Sequence, residues 1–238
     1  MSLSDLSKLQ ELIKQNKNFV LLSGAGVSTA SGVPDFRSEH GLYKKFKNAE
    51  YLLSHEALVN EPSAFFDFYK KQMLLKNIKP NLIHQKIAAW EAKEQIGWVI
   101  TQNIDGLHSL AGNEKVIELH GTIYRNYCMN CHKTYSLDFV KKANNIPKCL
   151  CGGIVRPDVI LYGEMLHPGV YEKCYEVLQK TNLLLVAGTG LTVSTAANII
   201  NMFKGKHLVI INNQSTPYDY LAELVIHQDL TEVFLQLT

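Results

Sequence analysis

The sequence predicts an α/β fold in which a parallel sheet is covered by helices on both faces. Short runs rich in Val, Ile and Leu, without clean alternation, recur along the 238 residues, as expected of strands buried on both sides. Helical patterns separate these runs, and glycine or polar residues follow several of them. This order of elements predicts a doubly wound α/β core, whose ligands bind beyond the carboxyl ends of the strands.

The elements follow from the local patterns in chain order. An N-terminal helix is predicted because leucines recur at helical spacing with charged residues between them. The predicted helices cover residues 3–15, 82–93, 170–179 and 195–203. The predicted strands cover residues 19–22, 98–101, 116–119, 183–187, 208–211 and 224–226. The loops that follow these strands are therefore the expected location of a site.

Two segments interrupt the alternation and are interpreted as insertions. Residues 38–80 contain Pro62 at a predicted helix start, followed by Phe65, Phe66, Tyr69 and Met73 on one helical face. Core packing is favoured over ligand contact for this aromatic stripe. Residues 122–156 form the second insertion. The predicted α/β core then consists of residues 1–37, 81–121 and 157–238.

Composition and charge argue against several classes of protein. The formal net charge is +2, and the basic residues are scattered along the chain, so direct binding of nucleic acid is not expected. The N-terminal stretch has the features of neither a signal peptide nor a membrane span. A soluble, cytoplasmic protein without a membrane partner is expected, with a monomer as the default state.

Four of the five cysteines lie close together in the second insertion. Cys128 and Cys131 have C-x2-C spacing, and Cys149 and Cys151 have C-x-C spacing before Gly152 and Gly153. Two cysteine pairs favour one structural zinc ion over free thiols, although the usual second pair is also C-x2-C. His132 is an alternative ligand, but a surface position is favoured. Cys174 is predicted to be a small buried side chain on a helix.

The stretch GAGVSTASGVPDFRS, residues 24–38, follows the first predicted strand and suggests a nucleotide-phosphate turn. Gly24 and Gly26 allow close approach of a phosphate, and Ser28 and Thr29 are expected to cap a following helix. The dinucleotide fingerprint is incomplete, because Thr29 replaces its third glycine. The X-Pro turn that follows brings a carboxylate, an aromatic ring and a guanidinium together in sequence at Asp35, Phe36 and Arg37.

The catalytic candidates also follow predicted strands. TQNIDGLH places Gln102, Asn103 and Asp105 after one strand, and His120 follows the run VIEL. A polar turn that caps a helix is the alternative interpretation of the first group. Unperturbed histidine titrates near pH 6.5, which suits His120 to accept a proton from a hydroxyl group. His84, by contrast, is expected to be a satisfied buried side chain.

Taken together, GAGVSTASGVPDFRS, TQNIDGLH, LHG, the four cysteines, RPDVILYGE and GTGLTV resemble, in this order, the motifs of the sirtuins, the NAD-dependent protein deacylases. The resemblance covers nearly the whole chain and is closest to the bacterial-type catalytic core. It implies a Rossmann-like NAD domain and a small domain made of a helical module and a zinc ribbon. NAD and an acyl-lysine protein substrate would meet between the two.

The resemblance also implies roles for individual residues. Phe36 would shield the reacting ribose carbon, and Asn212 would approach the adenine ribose. The implied catalytic residues are His120, Asn103 and Asp105. The implied NAD-binding residues are Gly24, Ala25, Gly26, Thr29, Asp35, Phe36, Arg37, Gln102, Asn103, Ile104, Asp105, Gly188, Thr189, Gly190, Asn212 and Leu230. The implied acyl-lysine-binding residues are Ile160, Tyr162, Gly163 and Val193, with the segment 191–193 clasping the peptide as an added strand. The implied zinc ligands are Cys128, Cys131, Cys149 and Cys151.

The implied reaction transfers the acyl group from lysine to ADP-ribose and releases nicotinamide. His120 would act after nicotinamide release, by helping to remove a proton from a ribose hydroxyl. The chain departs from the family pattern at Gly190, where a serine is usual, and at Thr195, where a proline is usual. It also lacks the Tyr-x-x-Arg of family members that remove acidic acyl groups, since Gln72 takes the arginine position after Tyr69. A short neutral acyl group is therefore expected. Transfer of ADP-ribose to protein or water, and a non-catalytic NAD-sensing module, are the alternatives.

Overall fold

The computed structural model describes residues 2–36 and 41–237. The strands are β1 (Phe19–Ser23), β2 (Ile96–Thr101), β3 (Val116–Glu118), β4 (Gly121–Cys128), β5 (Thr134–Ser136), β6 (Val155–Val159), β7 (Leu183–Ala187), β8 (His207–Ile211) and β9 (Leu224–Ile226). The helices are α1 (Leu3–Gln15), α2 (Leu42–Lys45), α3 (Ala49–Leu52), α4 (His55–Asn60), α5 (Pro62–Gln72), α6 (Leu82–Ala92), α7 (Leu107–Leu110), α8 (Leu137–Lys142), α9 (Val170–Leu178), α10 (Ser194–Met202) and α11 (Leu230–Gln236).

Six strands form a parallel sheet in the order β3-β2-β1-β7-β8-β9. The chain builds outward from β1 in one direction and from β7 in the other, so the strand order reverses between these two neighbours. In open α/β sheets ligands bind at such a switch point. The predicted doubly wound α/β fold is thus confirmed, and the predicted strands and helices begin and end within two residues of the observed ones.

Alternate side chains of the central strands enter two separate cores. Phe19 and Leu21 of β1 pack with α1, α6 and α11 on one face, whereas Val20 and Leu22 pack with α9 and α10 on the other. All five residues of β1 are buried, which explains why the sequence shows a continuous apolar run instead of alternation. We call this sheet, with α1, α6, α7, α9, α10 and α11, the sheet region.

The remaining elements form a second region beside the sheet. Strands β5, β4 and β6 form an antiparallel sheet. Helices α4 and α5 pack against it, and α2 and α3 pack on α5. Phe65, Phe66 and Tyr69 of α5 share one apolar cluster with Val155 and Cys128 of the antiparallel strands. The predicted core packing of the aromatic stripe is therefore observed. We call α2 to α5, α8 and β4 to β6 the ribbon region.

Two local predictions have clear outcomes. Pro62 is the first residue of α5, as predicted. The expectation that Ser28 and Thr29 cap a helix is wrong, because Gly24–Gly26 leads into two short 3₁₀ turns, Ala25–Val27 and Thr29–Ser31, and neither has a side-chain cap. Helix α6 is instead capped by Asn81, whose side-chain oxygen accepts from the amide of Ile83 at 2.9 Å. No helix among the described residues is long and apolar enough to cross a membrane.

Candidate active site

The loops after β1 and β7 touch each other at the switch point. The amide of Gly24 donates to the Ala187 carbonyl at 3.0 Å, and the amide of Gly26 donates to the Gly188 carbonyl at 2.9 Å. A Cβ on Gly26 would lie 2.8 Å from the Gly188 Cα, and a Cβ on Gly24 would lie 2.6 Å from the Thr189 Cβ. Both glycines are therefore required by the contact between the two loops.

A cavity of about 680 Å³ opens above this contact and extends toward the ribbon region. Its lining includes most residues that the resemblance assigns to NAD and substrate: Ala25, Gly26, Thr29, Asp35, Phe36, Gln102, Asn103, Ile104, His120, Ile160, Tyr162, Gly163, Gly188, Thr189, Gly190, Val193, Asn212 and Leu230. Gly24 and Asp105 do not line it, and Arg37 lies outside the described residues. The topology thus brings the carboxyl ends of five parallel strands, β1, β2, β3, β7 and β8, to one side of the cavity.

Asp105 lies behind the cavity wall in a buried polar network. Its Oδ2 accepts from the Ser28 hydroxyl at 2.7 Å, and its Oδ1 accepts from the Leu107 amide at 2.9 Å. Asn103 donates to the Ser28 hydroxyl and to the Gly24 carbonyl, each at 3.0 Å. Burial raises the pKa of Asp105, and the two hydrogen bonds that it accepts oppose this shift. In this structure the carboxylate connects the Gly24 turn to the loop after β2.

His120 follows β3 and lines the cavity with one edge of its imidazole. Its Nδ1 lies 2.9 Å from the backbone carbonyl oxygen of Gln102, and its Nε2 lies 3.0 Å from the Thr195 hydroxyl. Burial lowers the pKa of His120, while the hydrogen bond to Gln102 opposes the shift. The histidine is therefore neutral near pH 7, the state that a general base requires.

Gly121 fixes the backbone next to His120. It has φ +71°, and a Cβ there would lie 2.0 Å from the carbonyl oxygen of Asp158 on β6. The carbonyl of His120 also accepts from the amide of Ile160 at 3.0 Å. These contacts fix the histidine backbone to the segment after β6, at the junction of the two regions.

The ribbon region supplies an apolar wall of the cavity through Leu53, Tyr69, Met73 and Leu161. The sequence pattern predicts only core packing for Tyr69 and Met73. Tyr69 is fully buried, and its hydroxyl has no hydrogen-bond partner among the described residues. Burial raises the pKa of the Tyr69 hydroxyl, which is therefore neutral. Periodicity places a side chain on a helix face but does not show that the face borders a cavity.

The segment after β6 is held on two sides. The amide of Tyr162 donates to the Leu53 carbonyl at 3.1 Å, and the amide of His55 donates to the Tyr162 carbonyl at 3.0 Å. Glu164 accepts from the Leu161 amide at 2.8 Å and pairs with the buried guanidinium of Arg156. Although burial opposes it, hydrogen bonding to Arg156 and to the Leu161 amide lowers the pKa of Glu164 to about 2. This ion pair fixes the turn that follows Tyr162.

The four sulfur atoms of Cys128, Cys131, Cys149 and Cys151 all lie within 4.8 Å of one another. The separation is 3.4 Å between Cys128 and Cys151, and 3.5 Å between Cys131 and Cys149. Zn–S bonds of about 2.3 Å in a tetrahedron place the sulfur atoms about 3.8 Å apart, so the cluster fits zinc. His132 is exposed and is not part of the cluster.

The shortened C-x-C pair reaches the cluster because of the turn that follows it. Gly152 has φ +85°, and a Cβ on Gly153 would lie 2.6 Å from the sulfur of Cys128. The Tyr135 hydroxyl donates to the sulfur of Cys149 at 3.0 Å. All four ligand positions are occupied by cysteine, which is the arrangement of a structural zinc site.

Three features define a two-part, dinucleotide-binding class of protein: a doubly wound sheet with a glycine turn at its switch point, a half-buried histidine at the adjoining cavity, and a four-cysteine ribbon. The comparisons with known proteins agree. The model of the Sir2 family matches residues 24–195, and the chain belongs to this family.

Curated relatives match almost the entire chain. The NAD-dependent protein deacetylase of Clostridium tetani is 47% identical over 231 residues, which cover 94% of each chain. The NAD-dependent protein deacetylase of Clostridium acetobutylicum is 44% identical and covers 97% of each chain. These relatives and this chain are therefore alike over nearly their full length.

Solved structures of Sir2 proteins share the fold. A Sir2 variant with deacetylated p53 peptide and 3′-O-acetyl ADP-ribose superimposes with a TM-score of 0.91 at 34% identity, over 98% of this chain and 96% of that chain. Sir2 with p53 peptide and NAD⁺ gives a TM-score of 0.87 at 34% identity, over 97% and 96%.

Proposed function

We propose that this chain is an NAD-dependent protein-lysine deacetylase that transfers the acyl group from lysine to ADP-ribose and releases nicotinamide. The observation that carries the proposal is that neutral, half-buried His120 lines one cavity together with the glycine turns of the sheet region and the apolar wall of the ribbon region. Such a cavity holds a dinucleotide and an acylated side chain next to the same base.

The proposed division of the chain follows the two regions. Residues 1–37, 81–121 and 157–238 would bind NAD, and residues 38–80 and 122–156 would form the small domain with its structural zinc. The wall contributed by Tyr69 and Met73, and the backbone pairing of Tyr162 with α4 and its flanking loop, support a substrate site between the two. The unpaired side of the 162–163 segment and Val193 would clasp the peptide.

The residues of the chain would divide the chemistry among them. Bound NAD supplies an electrophilic ribose carbon and the hydroxyl that receives the acyl group. Gly26, Ala25 and Thr29 would hold the phosphate and ribose part, and Phe36 would exclude water from the reacting carbon. Asn103 orients the Gly24 turn through its two hydrogen bonds. His120 would accept the ribose hydroxyl proton at Nε2.

A short neutral acyl group is the proposed substrate. Gln72 provides no guanidinium for an acidic acyl chain, and the buried guanidinium close to Tyr69, that of Arg156, is already paired with Glu164. We further propose a cytoplasmic monomer that acts on acyl-lysine proteins and not on nucleic acid, in line with the scattered basic residues and a net charge of +2.

The test is to incubate the protein with NAD and acetyl-, longer-acyl- and succinyl-lysine peptides and to identify every product by mass. Acyl-ADP-ribose, free lysine peptide and nicotinamide are expected, with acetyl preferred over succinyl. ADP-ribosylated protein or free ADP-ribose without acyl transfer would instead favour an ADP-ribosyltransferase or NAD glycohydrolase.

Two histidine variants test whether the chain is an enzyme or a non-catalytic NAD-binding module. We expect His120→Ala to lower acyl transfer by roughly 10²- to 10⁴-fold, the usual contribution of a general base. His132→Asn, at an exposed histidine outside the cavity, is the control and should behave as the parent. Equal turnover by the parent and His120→Ala would exclude the assigned base.

A further inference from the structure

Thr195 contacts the proposed base through its hydroxyl group. Because a backbone carbonyl only accepts hydrogen bonds, the 2.9 Å contact with Gln102 places the proton of the neutral imidazole on Nδ1. Nε2 therefore carries the lone pair. The Thr195 hydroxyl, 3.0 Å away, must be the donor in this second contact. In this structure the lone pair that a general base uses is already occupied.

This chain departs from the family pattern at this contact, because the family pattern has proline where this chain has Thr195. Proline has no hydroxyl group, so it cannot make this hydrogen bond. Thr195 is the second residue of α10, within the first turn, where backbone amides have no partner inside the helix and proline is tolerated. The backbone requirement of the position is thus the same for both residues, and the hydroxyl is the feature that differs.

We propose that Thr195 caps the base, so that its hydroxyl must rotate away from Nε2 before His120 accepts a proton from the ribose hydroxyl. This inference rests on the proposed function. In the step itself the ribose O–H bond breaks, an N–H bond forms on Nε2, and Thr195 keeps its own proton. Thr195 is a positioning residue, because it acts through His120.

The cap should affect only one half of the reaction. His120 is assigned to the step after nicotinamide release, so nicotinamide exchange should not depend on Thr195. Breaking one neutral hydrogen bond costs about 0.5 to 1.5 kcal/mol, so its removal should change a rate by about twofold to tenfold. The neighbours of the imidazole are uncharged: Gln102 from the loop after β2, Gly121 from β4 and Thr195 from α10. Within residues 2–36 and 41–237, no charged side chain forms a hydrogen bond or ion pair with it.

The experiment compares Thr195→Val with Thr195→Ser in the full chain. Single-turnover formation of acyl-ADP-ribose and exchange of labelled nicotinamide into NAD are measured side by side. We expect Thr195→Val to accelerate acyl transfer by about twofold to tenfold with unchanged nicotinamide exchange. Thr195→Ser, which keeps the hydroxyl, should match the parent. Thr231→Val, at the second position of α11 and outside the cavity lining, is the matched control.

A second measurement does not depend on activity. The titration of His120 is followed by NMR of its side-chain nitrogens in the same variants. The Thr195 hydroxyl is hydrogen-bonded to Nε2, so its removal in Thr195→Val should shift the midpoint, whereas Thr195→Ser should leave it in place. Thr195→Ala removes the hydroxyl in a second way if valine disturbs α10.

The two measurements together test whether Thr195 caps His120. Acyl transfer that is unchanged in Thr195→Val, or a His120 midpoint that does not move, would overturn the cap. Slower acyl transfer would also overturn it, since the hydroxyl would then assist the reaction. If the parent protein shows no nicotinamide exchange with NAD and acetyl-lysine peptide, the proposed function fails, whereas the NMR titration still tests the contact.

Discussion

The sheet region and the ribbon region are held together in different ways. Each strand at the centre of the parallel sheet buries side chains on both faces, and two separate apolar cores result. In the ribbon region β4 and β5 each have two exposed positions, and the core depends on α5 and on a cysteine cluster. A large two-sided core stabilises itself, whereas a small one needs a metal and a packed neighbour.

Zinc removal is expected to show the largest difference in stability between the sheet region and the ribbon region. Structural zinc contributes apparent binding free energies of about 10 to 16 kcal/mol in small zinc domains, so a strong chelator or Cys128→Ala should unfold residues 122–156. Deacetylation should be lost as well, because Ile160 and Tyr162, which are assigned to the acyl-lysine site, lie just after β6 of the ribbon region. Hydrogen exchange should show faster exchange in β4 to β6 and persistent protection in β1 and β7.

Cys174→Ala is the control for this experiment. Cys174 is a buried thiol on α9, in the core of the sheet region, and the variant should keep one zinc ion per chain by metal analysis. Loss of zinc from Cys174→Ala, or retention of zinc by Cys128→Ala, would contradict the assigned ligands.

Core truncation gives the next largest effect. Leu185→Ala and Phe66→Ala each remove a side chain with no exposed surface, from the sheet region and the ribbon region respectively. We expect losses of about 2 to 5 kcal/mol in free energy of unfolding. Leu185→Ala should lower protection across the entire chain, whereas Phe66→Ala should lower it in α5 and β6 first. Identical exchange patterns for both variants would show that the regions unfold as one unit.

Acid should destabilise the regions in different pH ranges. His84 and His108 are buried in the sheet region, where burial lowers the pKa of His84 to about 4; burial and the neighbouring His84 lower that of His108 to about 3. The unfolded chain binds these protons near pH 6.5 and the folded chain does not, so stability falls as pH drops from about 6.5 toward 4.

Glu164 should act at lower pH. Its pKa of about 2 in the folded state lies below that of an unfolded glutamate, so its contribution is present above about pH 4.5 and is lost as pH falls toward 2. Urea unfolding at pH 7.5, 5.5 and 4.5 should show a loss of about 2 to 3 kcal/mol for each of the two histidines. A constant free energy of unfolding over this range would contradict their burial as neutral groups.

The smallest expected effect concerns the contact between α5 and the loop after α8. The ammonium of Lys70 donates to the carbonyls of Ala143 and Asn145, at 2.6 and 2.7 Å. Lys70→Ala should cost about 1 to 3 kcal/mol. Lys71→Ala removes only an exposed pair with Asp67 and should cost at most about 0.5 kcal/mol. Equal thermal shifts for the two variants would show that the Lys70 contacts do not stabilise the protein.

The sequence by itself determined the elements, the sheet class, the four-cysteine cluster and most residues that line the cavity. These features depend on local patterns: continuous apolar runs, cysteine spacing, and polar residues directly after strands. Parallel strands bring their carboxyl ends to one edge of a sheet. Residues as distant in sequence as Ala25, His120 and Thr189 are therefore predicted to share one site from strand order and motif position alone.

Only the tertiary structure decided which groups touch within that site. The local pattern predicts that Ser28 caps a helix. In the structure its hydroxyl instead donates to Asp105, whose carboxylate lies behind the cavity wall. Tyr69, predicted to lie in the core, also borders the cavity. The hydroxyl of Thr195 reaches His120 across 75 residues of sequence. Contacts of this kind depend on how separate elements pack and on side-chain direction, to which local sequence patterns are insensitive.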